Sequence, residues 1–94
     1  MRIQFAPQAE ADLRGTLEYI GERNPRAAKK LAERVLAVIE MLAARELEGQ
    51  TQRLTTGELV HSWPVPPFRI YYQRQGDELQ VLRVYHHARR PIAR

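Results

Sequence analysis

The chain has 94 residues, no cysteine and a formal charge of +4 at neutral pH, from 15 basic and 11 acidic side chains. That length supports a single domain, 1–94, and the missing thiols exclude disulfides, a cysteine nucleophile and cysteine-based zinc sites. No apolar run reaches the roughly 18 to 20 residues that cross a bilayer, and Met1-Arg2-Ile3-Gln4-Phe5 is too short for the apolar part of a signal peptide, so a cytoplasmic protein with no membrane partner is expected.

Residues 2–5 alternate polar and apolar side chains, with Ile3 and Phe5 on one side, as a short strand would. From Pro7 the period lengthens. Proline suits a first helical position, Glu10 and Asp12 complement the positive end of the helix dipole, and Ala9, Leu13, Leu17 and Ile20 recur at helical spacing, which predicts a helix to about Arg23. Asn24 then caps and Pro25 opens a second helix, whose stripe of Ala28, Leu31, Ala32, Val35, Ile39 and Leu42 runs to about Ala44. So short a joint predicts an antiparallel helical hairpin.

Residues 46–57 are polar and contain Gly49 and Gly57, which reads as a loop or irregular arm. The period then falls to two. Leu59, His61, Trp63 and Val65 alternate with Val60, Ser62 and Pro64; Phe68, Ile70 and Tyr72 alternate with Arg69, Tyr71 and Gln73. Pro66-Pro67 and residues 75–78 are the turns, and residues 79–85 form a third run of β-formers. The expected fold is α+β: an N-terminal β-strand, a two-helix antiparallel hairpin, then a three-stranded antiparallel meander, with the hairpin packed on one sheet face. The other face is left to solvent or a partner.

Charge is unevenly placed. Residues 69–94 carry six arginines against two acids, an excess equal to that of the whole chain, whereas the first 68 residues carry nine of each sign. Phe68, Tyr71, Tyr72, Tyr85, His86 and His87 are interleaved with these arginines, so the closing meander is expected to offer a cationic docking platform to an anionic macromolecule.

Several pieces occur in a fixed order: Ala11-Asp12-Leu13 and Tyr19-Ile20 in the first helix; Asn24-Pro25 with Ala27-Ala28; Trp63-Pro64-Val65; Phe68-Arg69-Ile70-Tyr71-Tyr72; and Val81-Leu82-Arg83-Val84-Tyr85-His86 followed by Arg89 and Pro91. Together they resemble the RelE/ParE superfamily of toxins from bacterial type II toxin–antitoxin systems, in particular its ParE-like branch. The resemblance spans nearly the whole chain. It implies a toxin that forms a hetero-oligomer with a cognate antitoxin, whose amphipathic, acidic C-terminal segment wraps the toxin surface. ParE-like members poison DNA gyrase and RelE-like members cut messenger RNA on the ribosome, and the fold alone does not choose between them.

Cleavage of RNA by its own 2′-hydroxyl needs a base, a cation for the phosphorane charge and an acid for the leaving oxygen. Arg69 matches the strand arginine that faces the scissile phosphate in RelE-like members, and His86 or His87 could move protons near neutral pH. The rest of that set is thin. Both lysines, Lys29 and Lys30, lie on the second helix, Arg53 is the one base in the preceding loop, and the terminal tyrosine of the nuclease branch is absent after the last strand, although Tyr85 lies near it. The reading therefore favours a gyrase-directed toxin over a ribosome-dependent endoribonuclease; a third possibility is a chain that binds antitoxin but has lost toxicity. Target or antitoxin contacts are expected at Arg69, Tyr71, Arg83, His86, Arg89 and Arg90, with Arg89 matching the arginine of the branch's closing His-x-x-Arg pattern.

Some of these residues also have structural readings. Trp63 is expected in the core, and Tyr71 and Tyr72 point to opposite faces, so only one of them is expected to be buried. His86 and His87 likewise point apart and His61 is remote from them, so no metal site is expected. No Walker loop, G-x-G-x-x-G, G-x-S-x-G or H-E-x-x-H occurs, and no cofactor is expected.

Overall fold

A proline opens each helix of the hairpin. In the computed structural model, which describes residues 1–86, strand β1 (Arg2–Phe5) gives way at Pro7 to helix α1 (Pro7–Arg23). Pro25 opens helix α2 (Pro25–Ala43) immediately afterwards. Asn24 serves both helices: its backbone N–H donates to Ile20 at the end of α1, and its side-chain oxygen accepts from Ala27 N at 3.1 Å as the N-cap of α2. The chain thus reverses with no loop between the helices. α2 ends in a Schellman arrangement, with Glu46 N donating to Met41 O and Arg45 N to Leu42 O, and Arg45 takes the left-handed conformation, φ 62°, usually filled by glycine.

Strands β2 (Gln50–Arg53), β3 (Leu59–Val65), β4 (Phe68–Gln75) and β5 (Glu78–His86) follow as an antiparallel meander. The sheet order is β1-β5-β4-β3-β2, so the first and last strands lie side by side and parallel. The expected three-strand meander is β3–β5. The residues read as a loop contain one further strand, β2, whose Gln-Thr-Gln-Arg sequence has no apolar alternation because it is an edge with little to bury. Gly49, just before it, passes so close to β3 that a Cβ there would stand 2.1 Å from the Ser62 carbonyl oxygen. Only glycine permits that approach.

One sheet face packs on the hairpin. Leu31, Val35, Ile39 and Leu42 of α2 meet Phe68, Ile70, Tyr72, Leu79, Val81 and Val84, with Ile3, Phe5, Leu13, Leu17 and Trp63 partly buried around them. Trp63 sits opposite Ile70, on the core side as expected. Strict alternation cannot put both Val81 and Val84 on that face. A bulge resolves this: Tyr71 pairs with Arg83 but Tyr72 with Val81, leaving Leu82 as the extra residue.

β1 ends opposite Val81, so beyond that point β5 is flanked on that side by α1 and not by a strand. Asp12 of α1 replaces the missing neighbour. Its carboxylate accepts from Arg83 Nε at 2.7 Å, from Arg83 Nη2 at 3.0 Å and from the Val84 N–H at 3.2 Å, while only 11% of the side chain is exposed. Hydrogen bonds to a charged group with this little water are among the stronger ones. Asp12→Ala leaves both an arginine and a strand N–H without a partner and is expected to lower unfolding stability by about 2 to 3 kcal/mol, read from urea midpoints. A loss under about 0.5 kcal/mol would show the pair to behave as an ordinary surface salt bridge.

Candidate functional site

Residues paired across neighbouring strands share a face, so the register assigns every candidate to one side of the sheet. Arg69 pairs with Tyr85, and Tyr71 with Ser62, on the face away from the helices. Arg69 Nη1 donates to Ser62 Oγ at 2.9 Å, and among the described residues it forms no ion pair. Ser62, Val60 and Tyr71 are buried in the middle of this face. Gln52 lies opposite Val60, and its side-chain oxygen is buried without a hydrogen-bond partner. A guanidinium held by one hydroxyl, flanked by two phenols, can accept an oxyanion from outside.

The expectation that only one of Tyr71 and Tyr72 would be buried does not hold. They do point to opposite faces, yet both are buried, because long neighbours close over the helix-free side as the helices close over the other. Burial raises both phenols above the ordinary tyrosine range. At Tyr71 the Arg69 charge works against this and Tyr85 with it. At Tyr72 the chief counterweight is the Gly49 N–H, which donates to the phenolic oxygen at 2.8 Å.

His86 pairs with Phe68 and lies edge-on to that core ring, centroids 6.1 Å apart. It therefore belongs to the helix side, and the sheet stands between it and Arg69. Of the two histidines read as proton shuttles, His86 does not converge with Arg69. His87, Arg89 and Arg90 lie outside the described residues. His61, which had no assigned place, stacks on Tyr72 at 5.4 Å, with Nδ1 3.5 Å from Thr51 Oγ1 and 4.0 Å from Glu48. Among the described residues no three His, Cys, Asp or Glu side chains come together in a way that could hold a metal ion.

The expected arginine platform needs correction. Arg83 is committed to Asp12, whose hydrogen bonds raise its pKa against the opposing effect of burial, and its guanidinium lies 4.9 Å over Tyr85. Arg74 is tied down more completely: Nη1 grips both oxygens of Glu48, while Nη2 donates to the Leu42 and Leu47 carbonyls, the former also accepting from Arg45 N at the end of α2. Of the three described arginines in the closing meander, only Arg69 carries charge that no acid offsets. Three described cations whose side chains have no partner, Arg26, Lys29 and Lys30, stand elsewhere, on α2, and summing charge over the first 68 residues concealed them. A count over single elements would have found them.

A family model described as the ParE toxin of the type II toxin–antitoxin system, parDE, matches residues 3–91. Over 88 residues the chain is 34% identical to the protein named Toxin RelE2 of Caulobacter vibrioides, covering 94% of this chain and 97% of that one. Its fold is similar to a solved chain titled "Chromosomal ParDE TA system from P. aeruginosa", with a TM-score of 0.73 at 21% identity over 92% of this chain and 95% of that one.

The raised pKa of Tyr71 and Tyr72 carries a stability consequence with a defined sign. Each phenol is neutral in both states below the unfolded value near 10, and the advantage of the folded state is lost as pH climbs through the raised folded value. In a spectrophotometric titration at 295 nm, two of the four tyrosines are expected to ionise above that ordinary value, together with loss of the far-ultraviolet circular dichroism signal. Four phenols ionising together near 10 in a folded protein would contradict the buried placement.

Proposed function

This chain belongs to the ParE toxin family of type II toxin–antitoxin systems, and from that premise we propose that it inhibits growth in the cytoplasm by docking on DNA gyrase as a protein, without a catalytic step of its own. As a type II toxin it has an antitoxin partner. We take the neutralising part of that partner to be an amphipathic, acidic segment that orders on binding. The observation that supports contact over cleavage is the register of β4 and β5: Arg69 faces away from the helices while His86 faces Phe68 and the core, so among the described residues no histidine meets the phosphate-binding cation. A docking toxin needs a shaped surface and no such convergence.

A second reading, cleavage of messenger RNA on the ribosome, has one feature in its favour. Arg69 shares its face with Ser62, Tyr71 and Tyr85, and the Tyr71 phenol, which burial keeps neutral, could serve as a proton donor.

Purified gyrase separates the two. Saturating toxin is expected to abolish supercoiling and to accumulate broken DNA, and intact supercoiling would sink the contact reading. Primer extension on ribosome-bound messages is expected to reveal no new 5′ ends; new ends that disappear with Arg69→Ala would establish the nuclease instead. If expression without antitoxin leaves growth unaffected although a tight complex forms, the chain has kept its partner and lost its target.

A further inference from the structure

Residues 23–34 hold five bases, Arg23, Arg26, Lys29, Lys30 and Arg34, against one acid, Glu33, a local charge of +4. All five bases are exposed, at the end of α1 and over the first three turns of α2. Arg26, Lys29 and Lys30 make no hydrogen bond or ion pair among the described residues. Arg23 lies 4.1 Å over the Tyr19 ring and donates to the Tyr19 carbonyl, and Arg34 donates to the Pro66 carbonyl, so neither has its charge offset by an acid.

This arrangement works against the helix that carries it. The first turn of α2 contains no acid, unlike that of α1, which carries Glu10. Cations near the positive end of the dipole, and like charges one turn apart at 26/30 and 30/34, each cost a few tenths of a kcal/mol. Arg26, Lys29 and Lys30 gain no side-chain contact inside the fold in return, and a local rule broken without compensation marks a surface kept for something outside it.

We propose that this surface docks on the phosphate backbone of duplex DNA, an activity that goes beyond the toxin reading and does not depend on gyrase being the target. Arg26, Lys30 and Arg34 stand in a row about 6 Å apart and roughly 12 Å long at the helical rise, a straight rail that suits a stiff phosphate strand. The lack of an apolar anchor within the row decides between DNA and an acidic protein segment. Leu31 is the one large apolar residue between positions 26 and 34 and it is buried, while the exposed ones nearby, Tyr19 under Arg23 and Leu36 past Arg34, stand at the margins and not in the row. Protein interfaces draw their affinity from buried anchors, and an exposed pair with a carboxylate contributes only about 0 to 1 kcal/mol. A phosphate polymer needs no anchor, because displaced counterions drive its binding. The contact carries no base readout.

The test is fluorescence anisotropy of the full-length protein with a labelled duplex of about 20 base pairs between 50 and 200 mM salt. Three phosphate contacts predict a slope of about −2.7 in log K against log salt, and the Lys29→Gln/Lys30→Gln double variant is expected to flatten it by about 0.9, since Lys30 is the member of the pair that stands in the row, and to weaken binding roughly tenfold at the lowest salt. Both lysines are exposed, so an unchanged thermal melt should accompany the loss. An Arg89→Gln/Arg90→Gln/Arg94→Gln variant provides the comparison: if it abolishes binding while the lysine variant keeps the full slope, the site is the C-terminal tail and the proposal fails. It fails equally if the duplex does not bind at 50 mM salt, if polyglutamate at equal charge displaces it, or if a single-stranded RNA of the same length binds more tightly.

Discussion

The grip of the Asp12 carboxylate on Arg83 and the Val84 N–H holds the molecule to one arrangement. β5 lies between β1 and β4, but β1 covers only its first half; past Val81 a helix must stand in for a strand. A helix cannot offer a ladder of backbone acceptors on its side, so a side-chain oxygen has to do so, and Asp12 is the residue of α1 that does. The same carboxylate secures the bulge at Leu82, which turns Val84 toward the core after Val81 has already faced it. Helix docking, bulge and core pattern are therefore one problem with one solution. Its cost is Arg83, which is no longer free to meet a partner.

Strand parity then governs the chemistry. Consecutive residues of a strand face opposite ways, so Arg69 and Phe68 are separated by the full thickness of the sheet although they are adjacent in sequence. Each carries its β5 partner with it, Tyr85 to one side and His86 to the other. A shift of one residue in the β4–β5 register would have placed a histidine beside Arg69. What the observed register puts there is a phenol and a buried serine, which suits the guanidinium to holding an oxyanion more than to sharing in proton transfer near neutrality.

The helices were legible because their signals are local. Pro7, Asn24 and Pro25 act within a few residues, and the long stripe of α2 needs only periodicity. The meander was legible from alternation, including the core placement of Trp63. What escaped had no local signal. β2 is all polar, and its pairing depends on Gly49 letting the chain approach Ser62. The bulge depends on Asp12, about seventy residues away in sequence. Arg74 and Arg83 looked like surface cations because an arginine's acid partner can come from anywhere in the fold, and Glu48 and Asp12 lie in the half of the chain whose charge appeared to cancel. That cancellation was real as a sum and misleading as a map, since α1 carries four acids to two bases and α2 four bases to two acids.

β1 and β2, the two outer strands, are only four residues long, and β2 presents glutamines, a threonine and an arginine. Short polar borders offer little template for a neighbouring chain to extend the ladder. A toxin freed from its antitoxin must persist alone at low concentration until it finds its target. Blunted margins give a second copy little to pair with along the sheet.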